Sequence, residues 1–189
     1  MSKIKTVGIV GTGVIGTGWI IRNLAHNKIV HAYDQNKNLK NYVLKEIKRT
    51  SKSIKKLFGK KILIKNLKFF NSLEKALSNV DFVQESVLEN YKVKTDLIQK
   101  ISKYVKSNVI ISSSSSGLLP SKIFSKSKNP QRGIIGHPFN PAYLLPAVEI
   151  VPGKKTTKKF LLDANKYYKS ISMKPIMLKK ELPGYLSDR

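Results

Sequence analysis

The sequence predicts an α/β fold in which a doubly wound, mostly parallel sheet is covered by helices on both faces. Short β-rich runs alternate with helix-period segments along the chain. The first of these runs meets a glycine turn that opens straight into a helix. At 189 residues there is enough chain for one domain with a real core.

Taken in order, Lys5 to Val10 (KTVGIV) reads as a strand, and Val14 to His26 has helical spacing through Ile15, Trp19, Ile20 and Leu24. Ile29 to Tyr33 is a second strand ending at Asp34. Asn38 to Leu57 is a lysine-rich amphipathic helix with Leu39, Val43, Ile47 and Ile54 inward, and Gly59 marks its end. A strand falls within Ile62 to Phe70, Ser72 can cap the short helix LEKAL, and Asp81 to Glu85 is another strand. Asn90 to Tyr104 is helical, and Asn108 to Ile111 is a strand leading into SSSSSG, expected to be a loop. Pro120 to Ser125 suggests a short helix, followed by strands at Gly133 to Gly136 and Val148 to Val151. A helix from Thr156 to Ser170 and a strand around Pro175 to Leu178 complete the order.

Composition narrows the function. The absence of cysteine excludes disulfides, zinc-thiolate sites and thiol nucleophiles, and no metal site is expected. No apolar run approaches the ~18 residues of a spanning helix, and the N-terminus lacks a signal-peptide pattern, so no membrane partner and a cytoplasmic location are expected. The net charge is +25. The basic residues are nearly all lysines scattered over every segment, whereas phosphate-gripping and base-reading surfaces enrich arginine. No nucleic-acid partner is expected; the diffuse field would attract small anions in a generic way.

Residues 11 to 16 read GTGVIG. In a Rossmann-type domain Gly11 permits the tight turn, Gly13 lets the backbone approach a pyrophosphate, and Gly16 allows close helix packing. Val14 and Ile15 lie between them, at the helix N-terminus that faces the phosphates. Asp34 follows Gly11 by 23 residues, at a strand end where a carboxylate accepts hydrogen bonds from an adenosine ribose, which favours NAD over NADP. Alternatively, Asp34 is a helix N-cap.

Beyond this loop, QESVLENYKVKTDL, SSSSSGLLPSKI, GHPFNPAYLLPAVEIVPG and ELPGYLSDR resemble, in order and spacing, blocks of the 3-hydroxyacyl-CoA dehydrogenase superfamily. SGLLPS followed by GHPFNPAYLLPAVE is most similar to its L-carnitine dehydrogenase branch. The resemblance implies a catalytic histidine and glutamate at His137 and Glu149, and a substrate-contacting serine at Ser116, within a run of five serines. A base for the hydroxyl proton, oriented by a carboxylate behind it, is what oxidation of a secondary alcohol requires. The resemblance also implies cofactor contacts at Glu89, Lys94 and Asn140. The first two are alternatively solvated helix charges. If the small-molecule substrate is carnitine, Phe139 and Tyr143 are candidates for its trimethylammonium, or else core residues.

The acyl-CoA enzymes hold coenzyme A with a long helical hairpin after the second strand, and here the stretch from Asp34 to Leu73 looks shorter. That favours a small free hydroxy acid, L-carnitine first, with 3-hydroxyacyl-CoA and L-gulonate as alternatives. Lys48, Lys55, Lys56, Lys60 and Lys61 either meet coenzyme A phosphates or form an exposed helix face. Family members continue into a helical domain that makes the homodimer. The sequence therefore divides into a cofactor domain over 1–182 and a stub of the next domain over 183–189, with Asp188 where the family has a substrate-orienting asparagine. An inactive NAD-binding module is the alternative of another class.

Overall fold

A computed structural model describes residues 4–186. Its sheet has eight strands, β1 (Thr6–Val10), β2 (Ile29–Tyr33), β3 (Leu67–Phe69), β4 (Phe82–Glu85), β5 (Ile110–Ser113), β6 (Gly133–Pro138), β7 (Ala147–Pro152) and β8 (Lys174–Met177), in the order β3-β2-β1-β4-β5-β6-β7-β8. Every neighbouring pair is parallel except β6 with β7. The first six strands have the 3-2-1-4-5-6 order of a dinucleotide-binding Rossmann sheet.

Strands buried on both faces are mostly apolar and must pair any polar side chain they carry; β1 and β4 are buried along almost their whole length, and β4 carries Gln84 and Glu85. Six helices cover the two faces: α1 (Val14–Ala25), α2 (Leu39–Phe58), α3 (Leu73–Leu77), α4 (Tyr91–Tyr104), α5 (Pro120–Ile123) and α6 (Lys158–Ser170). Trp19 and Leu24 of α1, Val43, Ile47 and Ile54 of α2, and Ala164, Tyr167 and Tyr168 of α6 form one core. Ala76 and Leu77 of α3, Ile98 and Ile101 of α4, and Ile123 of α5 form the other. This two-sided burial is what doubly wound describes.

The local chemistry sets the helix ends. Ser72 and Asn90 cap α3 and α4 by accepting from the Lys75 and Val93 amides. Gly59 ends α2 in the left-handed region at φ +63°. The strand expected within Ile62 to Phe70 is β3, preceded by a 3-10 turn at Ile64–Asn66. One segment differs from expectation. Ser112 and Ser113, expected in a loop, are instead buried in β5. Their hydroxyls meet partners supplied by other elements, Tyr168 Oη at 2.8 Å and Glu85 Oε2 at 2.6 Å, which removes the cost of burying them. No helix among the described residues is long and apolar enough to cross a membrane.

Candidate functional site

The strand order reverses between β1 and β4, and the crevice outside the carboxyl ends of such strands is where an open α/β sheet binds ligands. Two clefts lie there. One of about 500 Å³ is lined by Gly11, Gly13, Asp34, Leu39, Ser86 and Val87 among others. The second, of about 290 Å³, is lined by Ile15, Ser86, Val87, Glu89, Ser114, Ser116, His137 and Pro138. Ser86 and Val87 belong to both, so the clefts meet at the end of β4.

The three glycines of the loop have different reasons to be glycine. Gly11 has φ +88°, and a Cβ there would lie 2.7 Å from the Ser86 carbonyl carbon. A Cβ on Gly16 would lie 1.8 Å from the Gly11 carbonyl oxygen. Among the described residues, apart from its neighbours along the chain, nothing lies within 4 Å of a Cβ built on Gly13. Its openness is therefore not required by the fold, and it leaves the backbone free to be approached. Gly13 is also the N-cap of α1, which has no side-chain cap and no acidic residue in its first turn. Such a helix terminus suits a phosphate. Val14 beside it is well exposed, at 60%.

Asp34 does not cap α2, whose N-cap is Asn38. It accepts instead from Thr12 N at 2.6 Å, Thr12 Oγ1 at 3.2 Å and Asn36 N at 2.9 Å, tying the glycine loop to the end of β2. A dinucleotide cofactor fits this cradle. The glycine loop and the α1 N-terminus would hold its pyrophosphate, and Asp34 its adenosine ribose.

At the other end, β6 and β7 place His137 and Glu149 directly opposite each other in antiparallel register. Their side chains leave the same face and meet, with His137 Nδ1 at 2.8 Å from Glu149 Oε2. Glu149 is fully buried, and its other oxygen accepts from Leu186 N at 2.9 Å. With Nδ1 donating to the carboxylate, Nε2 is the ring nitrogen left as acceptor, and His137 lines the smaller cleft.

Ser114 and Ser116 line the same cleft as His137, while Ser115 between them is buried. Glu89 fixes that loop: its Oε1 accepts from Ser115 Oγ at 2.5 Å, Ser116 N at 2.9 Å and Gly117 N at 3.2 Å. Burial alone would raise the Glu89 pKa. The Ser115 bond, the Lys94 charge and the Gly117 and Ser116 amides outweigh it and hold the carboxyl below its ordinary value. Lys94 is not a solvated helix charge. It is 1% exposed, 2.8 Å from the buried Glu85 carboxylate and 3.6 Å from Glu89. Among the remaining candidates, Asn140 is exposed, and the Phe139 ring centroid lies 6.2 Å from that of His137. Tyr143 packs against the core on the α1 and α2 face, and neither aromatic lines the smaller cleft. Asp188 lies outside the described residues.

Other residues at the site are not singled out by the sequence pattern. Tyr185 is buried with its ring 5.8 Å from His137 and donates to Leu118 O at 2.7 Å. Gln84, Ser86 and Ser114 line or underlie the cleft. A detectable hint did exist, since Gln84 and Glu85 are polar residues in a strand expected to be buried, and such groups need partners.

Residues 6–182 match the family model described as 3-hydroxyacyl-CoA dehydrogenase, NAD binding domain. The chain belongs to that family. Among curated relatives, the L-carnitine dehydrogenase of Oceanobacillus iheyensis is 41% identical over 187 residues, which is 98% of this chain and 61% of that protein. The L-carnitine dehydrogenase of Pseudomonas putida is 40% identical over 190 residues, 100% of this chain and 59% of that protein. The chain thus spans about 60% of the length of these relatives. A solved diketoreductase superposes with a TM-score of 0.92 at 25% identity, covering 100% of this chain and 69% of its own. The (S)-3-hydroxybutyryl-CoA dehydrogenase of Ralstonia eutropha does so at 0.86 and 26%, covering 98% and 67%. The Rossmann-type, mostly parallel fold expected from the sequence is therefore that of the family, and NAD is the cofactor of its domain.

Proposed function

We propose that this chain supplies the cofactor-binding and proton-transfer parts of an NAD-dependent 3-hydroxy acid dehydrogenase, with L-carnitine oxidised to 3-dehydrocarnitine. The observation that carries the reading is the His137–Glu149 pair at one end of the crevice whose other end is the glycine cradle. NAD, when bound, supplies the hydride acceptor. His137 Nε2 takes the proton of the substrate hydroxyl. Glu149 holds the ring in the tautomer that leaves Nε2 basic and stabilises the imidazolium that forms. Ser116, in the same cleft, donates a hydrogen bond to the reacting oxygen, and Glu89 holds its loop in place. Asn140 would meet the cofactor or substrate from the turn after β6.

Carnitine is preferred because the relatives bearing that name share about 40% identity with this chain, against 26% for the solved 3-hydroxybutyryl-CoA dehydrogenase. Phe139, whose ring is 6.2 Å from that of His137, is the proposed contact for the trimethylammonium, whereas Tyr143 takes the alternative role of a core residue; unchanged KM for carnitine in Phe139→Ala would remove the contact. On this reading residues 1–182 are the cofactor unit, and 183–189 are a stub of the helical domain of the family. A small-molecule substrate is its partner, with the homodimer belonging to longer proteins of the family.

The test is NAD titration followed by absorbance of reduced nicotinamide with L-carnitine, 3-hydroxybutyryl-CoA or L-gulonate. Turnover with carnitine supports the reading, and turnover with another of the three reassigns the substrate. NAD binding without turnover supports the second reading, a binding module, which the partial span of the relatives favours. Failure to bind NAD refutes both.

A further inference from the structure

The two clefts meet at Ser86, and the hydrogen bonds behind it determine where its proton points. Trp19 Nε1 lies 3.1 Å from Ser114 Oγ, and an indole N–H can only donate. Gln84 Nε2 lies 2.8 Å from the same oxygen and 3.3 Å from the Gly136 carbonyl. A carbonyl can only accept, so the amide nitrogen of Gln84 is fixed there and donates to both. Its Oε1 accordingly accepts from Tyr168 Oη at 2.7 Å, and Tyr168 accepts from Ser112 Oγ at 2.8 Å. The chain of bonds thus has a single direction.

Its end is at the crevice. Ser114 Oγ has two lone pairs, and Trp19 and Gln84 fill both. The 2.8 Å contact between Ser114 Oγ and Ser86 Oγ must then be a bond that Ser114 donates. Ser86 cannot return its own proton to Ser114, and it has no protein acceptor among the described residues. Donors that polarise one another in series strengthen the last one. Ser86 therefore presents a directed O–H donor at the one place that both clefts share.

We infer that Ser86 Oγ is a cofactor-binding residue that donates a hydrogen bond to the middle of the dinucleotide, at a pyrophosphate or nicotinamide-ribose oxygen. This rests on the NAD reading above. A ligand that reaches from Asp34 to His137 must pass Ser86, and oxygen acceptors are what the middle of a dinucleotide carries. The other groups at this junction are the apolar side chain of Val87 and backbone, so Ser86 is the side chain that can read the ligand's polarity there.

The experiment compares Ser86→Ala with wild type by calorimetric titration with NAD, ADP-ribose, ADP and AMP. NAD should bind roughly 3- to 10-fold more weakly to the variant, the range of one neutral hydrogen bond. AMP, which reaches only the Asp34 end, should bind both proteins alike. A loss first seen with ADP places the acceptor on the pyrophosphate, and one first seen with ADP-ribose places it on the second ribose. Equal NAD affinity in the two proteins would overturn the inference. So would a proportional loss of AMP binding, which would assign Ser86 to the fold instead. Wild-type protein that fails to bind NAD would refute the underlying reading as well, and the wild-type arm alone shows that outcome.

Discussion

Replacing Lys94 with methionine should be among the most damaging single changes at this site, although its ammonium lies inside the protein. Glu85 is fully buried at the end of β4 and Lys94 is 1% exposed on α4. Glu85 Oε1 accepts from Lys94 at 2.8 Å and Val87 N at 2.6 Å, and Oε2 accepts from Ser113 at 2.6 Å. Removing the cation leaves a carboxylate with two neutral donors and no counter-charge at 2.8 Å. Orphaning one member of a buried pair costs about 3–5 kcal/mol. In a domain of this size each kcal/mol lowers Tm by roughly 2–4 °C, so thermal unfolding followed by circular dichroism should shift down by about 6–20 °C. An internal control lies on the same helix. Lys92 pairs with Asp96 at 3.1 Å, but its side chain is 86% exposed, so Lys92→Met should cost about 0–1 kcal/mol. Adding Glu85→Gln to Lys94→Met should recover part of the loss, because a neutral amide is less costly to bury unpaired than a charge. A Lys94→Met shift no larger than that of Lys92→Met would refute the argument.

Three further outcomes follow from the same geometry. Gly13→Ala should leave Tm within about 1 °C while weakening NAD at least tenfold, because its Cβ meets no described residue beyond its chain neighbours; Gly16→Ala should unfold well below wild type, its Cβ being 1.8 Å from a backbone oxygen. Calorimetry of binding beside scanning calorimetry of unfolding separates the two effects. If the chain turns over substrate, Glu149→Gln should lower kcat by about 100-fold or more with little change in NAD affinity, since it removes the charge that stabilises the imidazolium. The folded-state pKa of Glu89 lies below its ordinary 4.5, so its ionised form stabilises the protein at neutral pH, and that contribution is lost as pH falls from about 4.5 through the folded value. The Tm difference between wild type and Glu89→Gln should accordingly be full at pH 7 and shrink toward zero in acid; a difference independent of pH would refute it.

The parts of the molecule that local sequence specifies were legible, and those that depend on distant partners were not. The glycine loop, the capping residue Ser72, and the inward stripe of Val43, Ile47 and Ile54, with Leu39 half-buried at its start, are each written within a few residues. Local pattern ends β5 at Ile111, because serine is a poor strand former and a good loop residue. It runs to Ser113 because Tyr168 and Glu85, distant in sequence, satisfy the buried hydroxyls. The same reason hid Ser86 and Ser114. A serine's role depends on what it is bonded to, and Trp19, Gln84 and Tyr168 come from three different elements. His137 and Glu149 were legible by family resemblance alone; the physical origin of their spacing is topological.

That topology also explains why the sheet departs from parallel at one place. Two parallel strands need a crossover of a dozen or more residues, and such a connection does not fix how far along its strand a given residue falls. An antiparallel pair joined by a short turn does. β6 and β7 are separated by residues 139–146, and the turn is held by Arg22 of α1, which donates to Ala142 O and Leu145 O at 3.0 Å each. The register then follows, and His137 faces Glu149 on one side of the sheet. A slip of one residue would turn the carboxylate to the opposite face. Arg22 is itself fully buried among apolar neighbours, stacked 4.9 Å from the Phe58 ring centroid, with burial pulling its pKa down to about 10. Keeping a guanidinium there is costly, and its bonds to the turn are what offset the cost. The helix that begins at the glycine cradle therefore also sets the histidine and glutamate in register, so one rigid element positions both ends of the crevice.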